Sequence, residues 1–400
     1  MHPIDLAAFW PGYDAVACSH SVEKNLTLTL EPRAADLPRC GRCQQPSPLI
    51  HDRRIRLVRD RDLFDQRVQL RLPIRRVDCL TCGRVTEHIS WLAPASRLTR
   101  RLCSWVETLL RFMPISHVSQ LTGLHWHTIK TLDKRRLQAA FGTFEPGDVR
   151  RLVMDEFALH KGHRYATVIM DAERTRVLWV GLGNSRKAIR PFFEQLGERC
   201  QQIEAVAMDM NTAFDLEVRK HCPQAEVVYD LFHVVARFGR DVVDRVRVDQ
   251  ANALKEQPVS RQVIKRSRWL LLRNRDHLSA EQAVKLDELL AANAPLALVY
   301  LLKTALKEIW FAHSVRDGFQ QWRSWYRMAV ESGLPAAILF ARRLRKYLRG
   351  ILASAIYPMN SSILEGVNNK IKVIKRMAYG FRDSAYFFLK IKAAFPGKAR

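Results

Sequence analysis

Two groups of residues in this chain have the types and the spacing for chemistry. The first is a pair of knuckles, Cys40-Gly-Arg-Cys43 and Cys79-Leu-Thr-Cys82. Four thiolates brought together by two turns suit a closed tetrahedral Zn²⁺ site, which supplies folding energy to a small β-module. A redox dithiol is the other use of this spacing, and two such pairs flanking a basic strand speak against it. The second group is carboxylates at the ends of apolar runs: Asp155 after "RLVM" and Asp209 after "IEAVAM". Strand ends hold carboxylates rigidly enough to converge on a hard cation, although either acid taken alone reads better as a turn or helix cap. Glu156 points away from the face of Asp155, so at most one of the two joins a given site. Asp171 reads as a turn residue between strands.

A third acid stands alone in a basic segment, "SSILEGVNNKIKVIKRMAYG". On a helix, Leu364, Val367, Ile371 and Ile374 form an apolar stripe, and Glu365, Asn369, Lys372 and Arg376 gather on the far side. That face offers a carboxylate to a metal and cations to phosphates; a salt-bridged solvent face is the plainer alternative.

These residues need particular elements to position them. Between the knuckles, "RVQLRLPIRRV" alternates Val68, Leu70, Leu72 and Ile74 with polar residues, which predicts a strand with its basic side out. "LTLTL" at 26–30 is a second strand candidate. Residues 115–137 show an apolar helix, Gly123, and a basic helix carrying His125, Trp126, His127, Lys130, Lys134, Arg135 and Arg136. That is the pattern of a helix-turn-helix whose second helix reaches base edges and phosphates. From 150 to 230 three strands are followed by an α–β–α–β succession, which predicts a mixed sheet with helices on both faces. Beyond 231 every signal is helical, including a capping box at Ser279 and Gln282. The other cysteines, Cys18, Cys103, Cys200 and Cys222, have no partner pattern and read as ordinary buried thiols.

Composition narrows the partners. Lys and Arg number 65 against 40 Asp and Glu, a net charge of +25, which points to a polyanion such as nucleic acid. The longest apolar run, "LALVYLL" at 296–302, is too short to span a membrane and reads as a buried helix. The expectation is a cytoplasmic, nucleoid-associated protein with no membrane partner, in which patterned cysteines bind metal.

The blocks "VMDEFALHKGHRYATVIMD", "AVAMDMNTAF" and "EGVNNKIKVIKRMAYGFRD", preceded by the cysteine ribbon and the helix-turn-helix, resemble the ISL-three family of bacterial insertion-sequence transposases. The resemblance runs from about residue 38 to the C-terminus. It implies a multidomain α/β protein: zinc ribbon (1–95), helix-turn-helix (96–145), an RNase H-like catalytic core (146–240 and 351–400) and an all-helical insertion (241–350). It implies Asp155, Asp209 and Glu365 as a DDE triad holding two Mg²⁺ (or Mn²⁺) ions for strand cleavage and transfer. Asp230 and His233, in "DLFHVV", match an Asp-x-x-His element of related transposases; a capping Asp and a packed His are the alternative. The implied partners are terminal inverted repeats and target DNA, bound by a homodimer or higher oligomer. His125, His127, Lys130, Lys134, Arg135, Asn369, Lys372 and Arg376 are the expected DNA contacts. Similar transposases stack an inserted Trp on an unpaired base, which brings in Trp269, Trp310, Trp322 and Trp325; aromatics at helical spacing are more often core. A DNA-binding regulator without catalysis and a structure-specific nuclease remain the alternatives.

Overall fold

The computed structural model describes residues 8–21, 25–93, 96–160, 164–359 and 362–398, apart from the side chains of 362–365. The chain divides into two compact units, 1–136 and 137–400.

The first unit is built on a five-stranded sheet: β1 (Tyr13–His20), β2 (Asn25–Pro32), β3 (Ile50–Arg59), β4 (Arg67–Cys79) and β5 (Gly83–Thr86), in the order β1-β2-β4-β3 with β5 on β4. Alternation along β4 buries Val68, Leu70, Leu72 and Ile74 in one core with Leu26, Leu28 and Leu30 of β2. The basic side of β4 is not wholly outward, because Arg75 is buried and paired with the buried Glu87 at 2.7 Å. A buried Arg is tolerated there because its charge is neutralised and hydrogen-bonded. Cys18 also departs from expectation. It is exposed, because it lies on the edge strand β1, where only the first residue is buried. Three helices follow, α1 (Arg100–Leu109), α2 (Ile115–Thr122) and α3 (Trp126–Phe141). Asp60, fully buried after β3, ties this unit together. It accepts from Trp10 Nε1 at 3.0 Å and Thr99 Oγ1 at 2.7 Å and pairs with Arg101. Burial pushes its pKa up, and these three donors outweigh burial and hold it below the usual range.

The second unit carries β6 (Arg151–His160), β7 (Arg164–Asp171) and β8 (Arg176–Leu182), then α4 (Arg186–Leu196), β9 (Ala205–Met208), α5 (Thr212–His221) and β10 (Glu226–Tyr229). The sheet order is β10-β9-β6-β7-β8; β6, β7 and β8 are antiparallel neighbours, and β6, β9 and β10 run parallel. Side chains cap both helices: Ser185 Oγ accepts from Ala188 N, and Asn211 Oδ1 from Ala213 N. Asp171 takes its turn role, accepting from the backbone of Glu173 and Arg174.

Helices α6 (Leu231–Phe238) and α7 (Asp244–Ala253) are joined by a π-turn, Gly239–Val243, so the backbone stays helical across residue 240. Next come α8 (Pro258–Arg266), α9 (Arg268–Leu272), α10 (Ala280–Ala292), α11 (Ala294–Glu308), α12 (Val315–Glu331), α13 (Pro335–Leu344) and α14 (Leu348–Leu352). Their apolar faces share one core with one side of the sheet, in which Leu152, Met154, Val206 and Met208 meet Leu302, Trp325 and Phe340. Leu296, Val299 and Leu302 of the apolar run are buried there, and among the described residues no single helix is long and apolar enough to cross a membrane. The last helices, α15 (Ser362–Met377) and α16 (Ser384–Ala394), cover the opposite side of the sheet, where Val367, Ile371, Phe387 and Ile391 pack on Val153, Phe157 and Ala207.

Candidate active site

The site begins with strand register. Val153 of β6 pairs with Ala207 of β9, and Met208 of β9 pairs with Tyr229 of β10. Continuing both ladders toward the carboxyl ends sets Asp155 beside Asp209 and Asp209 beside Asp230. The backbone N–H of Asp230 indeed donates to Met208 O at 2.9 Å. Side chains in register on parallel strands share a face. Val153, Ala207 and Val228, two residues before each acid, all belong to the core covered by α15 and α16. Three aspartates therefore stand side by side at one end of the sheet, on the face covered by the C-terminal helices.

Each acid has a local reason to be there. Asp155 is buried; its Oδ1 accepts from Glu156 N at 2.7 Å and its Oδ2 from Asn368 Nδ2 of α15 at 2.5 Å. Asp209 follows the four buried residues of β9 and accepts from Asn211 N at 3.1 Å. Asp230 caps α6 through Phe232 N at 2.9 Å, and its Oδ2 lies 3.6 Å from His233 Nδ1. Capping and membership of the cluster thus coexist in Asp230. His233 Nδ1 is buried and makes no hydrogen bond among the described residues. Glu156 takes the opposite face as expected and accepts from Asn184 Nδ2.

Electrostatics reflect the crowding. Burial pushes the Asp155 carboxyl up, Asp230 adds repulsion, and His233, the Glu156 N–H and Asn368 pull back without cancelling it. Asp209 is pushed up to about 6, first by burial and then by Glu156 and Asp155, against the pull of His233. Carboxyls raised together by burial and mutual repulsion are characteristic of functional sites. Their oxygens are the hard donors that Mg²⁺ prefers.

Glu365 lies on α15, one helical turn before Asn368, and its side chain falls outside the described residues. Asn368, which sequence reasoning passed over for its neighbour Asn369, is the amide that reaches Asp155; its buried Oδ1 makes no hydrogen bond among the described residues. Asn369, Lys372 and Arg376 are exposed. Lys375 instead clamps α15 to the sheet through Ala158 O. Of the tryptophans, Trp322 and Trp325 are core, and Trp310 donates to Tyr229 O at 2.9 Å. Trp269 alone of the four is exposed, with Arg268 over its ring.

In the first unit, Cys40, Cys43, Cys79 and Cys82 place their sulfurs within 4.8 Å of one another. They are the one such group of three or more candidate ligands among the described residues. Cys43 and Cys79 are 3.7 Å apart, against roughly 3.8 Å for two sulfurs on a Zn²⁺ tetrahedron with 2.3 Å bonds. Gly41 is required there, since a Cβ would sit 2.2 Å from Thr86 O. In the helix pair, Gly123 ends α2 at φ +67°, a conformation that favours glycine, and Val118 and Ile129 lock the two helices together. His125, His127 and Arg135 are exposed, with the two imidazoles stacked, and Lys130 and Lys134 are half-buried. Arg136 is held by the buried Asp133.

Comparison with known proteins bears on both units. A profile described as a transposase matches residues 152–391, the helix-turn-helix domain of transposase family ISL3 matches 87–137, and the zinc finger of the IS204/IS1001/IS1096/IS1165 transposases matches 36–82. The chain belongs to the ISL3 family of transposases. It is 50% identical over 398 residues to the transposase of insertion sequence element IS1001 from Bordetella parapertussis, covering 98% of this chain and 97% of that one. The transposase of IS1557 from Mycobacterium tuberculosis is 27% identical over 380 residues, covering 88% and 85%. This ISL3 transposase thus carries a zinc ribbon, a DNA-binding helix-turn-helix and a DDE-family domain.

One consequence of the crowded acids is measurable without DNA. A carboxyl whose folded pKa is raised keeps its proton after the unfolded chain has lost it, so stability falls as pH rises from about 4 to about 6. For Asp209 the loss amounts to at most about 3 kcal/mol. With no Mg²⁺ present, the melting temperature of the second unit is expected to drop across this window. Mg²⁺ should restore it above about pH 6, and Asp209→Asn should flatten the profile and abolish the restoration.

Proposed function

We propose that this transposase binds the terminal inverted repeats of its element and carries out Mg²⁺-dependent cleavage and strand transfer on an RNase H-like core. The observation that carries the reading is the in-register placement of Asp155, Asp209 and Asp230, with α15 fastened to the first of them by Asn368. A sheet order with three antiparallel strands followed by two parallel ones supports the RNase H-like assignment, and α7 to α13 are its helical insertion. A regulator without catalysis would have no use for three crowded carboxylates, two of them buried and the third half-buried.

Asp155, Asp209 and Glu365 would hold two divalent ions, which supply an activated oxygen nucleophile and charge neutralisation at the leaving oxygen. Asp155, in register beside Asp209 and hydrogen-bonded to Asn368 on the helix that bears Glu365, is suited to be the shared ligand. Asn368 and the Glu156 N–H, donating to Oδ2 and Oδ1 respectively, fix the rotamer of Asp155. Asp230 and His233 lie behind Asp209, where the imidazole offsets the acids' charge. Lys372 and Arg376, exposed on the helix that bears Glu365, would bind backbone phosphates alongside. In the first unit His125, His127, Lys130, Lys134 and Arg135 would face the repeat, steadied by the ribbon.

The test is a duplex ending in the element's own terminal repeat, incubated with the protein and Mg²⁺. Nicking at the element boundary, releasing a 3′-hydroxyl that joins a second duplex, is the expected result. Equal cutting of a scrambled end would instead establish a structure-specific nuclease.

A further inference from the structure

A cleft of about 650 Å³ opens on the helical-insertion side of the same sheet, the side opposite the face that carries the acids. Met210, the residue after Asp209, lines one end. One wall is α13 with the turn after it, and the other is α6, the π-turn and α7. The floor is apolar, formed by Leu339, Phe340 and Leu344, and the rim carries Arg237, Arg245, Arg343 and Lys346. Two carboxylates also line it, but each already faces a rim arginine: Asp241 lies 3.5 Å from Arg237 and Asp249 lies 3.5 Å from Arg245. Arg343 and Lys346 have no carboxylate partner among the described residues, so they bring unneutralised positive charge. Both are exposed, as are Arg342 and Arg345 beside them.

An apolar trough with a cationic rim fits a nucleotide chain, sugars and bases below and phosphates above. The volume is that of a small-ligand pocket and cannot admit a duplex. We infer that this cleft takes an unpaired stretch of the DNA strand whose scissile phosphate is held at Asp155 and Asp209. The inference rests on the cleavage reading. Its test is independent of that reading, because binding is measured in Ca²⁺ without cutting.

The substrates are two labelled duplexes of the same terminal sequence, one blunt and one with a short single-stranded tail at the cleavage side. Wild-type full-length protein should bind the tailed duplex more tightly. Arg343→Ala combined with Lys346→Ala should remove that preference and lower the salt dependence of tailed binding by roughly 0.7 per lost cation, about 1.4 in log–log slope. Leu339→Asp, at a half-exposed floor position outside the buried core, should weaken the tailed complex and leave the blunt one unchanged. A double variant that keeps the preference and the slope would overturn the inference. So would full displacement of the tail by a mononucleotide, which would make this a free-nucleotide site. Failure of cleavage in Mg²⁺ with the tail preference intact would sink the catalytic reading alone.

Discussion

Asp155→Asn and Asp209→Asn proteins are expected to bind an end-bearing duplex as the wild type does and to cleave it at least roughly 10³-fold more slowly. The size follows from the several kcal/mol of transition-state stabilisation that bound metal supplies, at a tenfold rate change per about 1.4 kcal/mol. Folding should survive, because each change removes a charge the sheet end accommodates poorly, and the Mg²⁺-free variants should melt no lower than wild type at neutral pH. Asn368→Ala provides a graded companion. It deletes a hydrogen bond to a proposed ligand, and such outer partners are worth about 10–100-fold in metal affinity or activity. Its defect should shrink at high Mg²⁺, which a merely structural defect would not do. Gel-shift and cleavage assays on the same duplex separate the two effects.

The second large effect concerns zinc. The knuckles have almost no core of their own: Cys40 and Cys79 are buried with Val77 and Val85, and little else packs there. Structural Zn²⁺ contributes roughly 10–16 kcal/mol in isolated finger peptides, far more than two valines can replace. Removing the ion with a chelator, or Cys43→Ser, should therefore unravel the turns around residues 38–49 and 79–88. The Leu70 and Leu72 core of the same sheet should persist, since it lies elsewhere along β4. Terminal-repeat binding should fall steeply while far-ultraviolet helicity changes little. Hydrogen exchange over the two knuckles, before and after Zn²⁺ is added back, reads the local unfolding directly. A protein that keeps its knuckle protection and its DNA binding without zinc would show the site to be dispensable.

How far these features were visible in the sequence differs residue by residue. That Asp155 and Asp209 follow buried stretches of strand was legible because short apolar runs such as "LVM" and "AVAM" must be buried, whereas either acid taken alone reads as a turn or cap. Their separation of 54 residues is also the ladder offset between β6 and β9, a coincidence that only the pairing explains. Asp230 was placed by resemblance, because nothing local tells which strand will lie next to β9. On α15 the helical phase correctly buried Val367 and Ile371. It could not say that Asn368, at the margin of that stripe, and not Asn369 would meet Asp155, because a wheel orders residues about an axis without locating the neighbour. The basic strand β3 escaped notice since Arg53, Arg54, Ile55, Arg56 and Leu57 are all exposed and show no alternation. Trp322 and Trp325 followed the ordinary rule that aromatics at helical spacing are core.

Glu365 is the residue on which the central claim turns, since it must cross from a separate helix to complete the site begun by the strands. The most direct measurement is the Mg²⁺-dependent cleavage rate of Glu365→Gln on a duplex carrying the terminal repeat, with repeat binding measured in parallel. If Glu365 is a metal ligand, binding is unchanged and the rate falls as severely as with Asp155→Asn. Cleavage at the wild-type rate would contradict this and return Glu365 to the role of a solvent-facing salt-bridge residue.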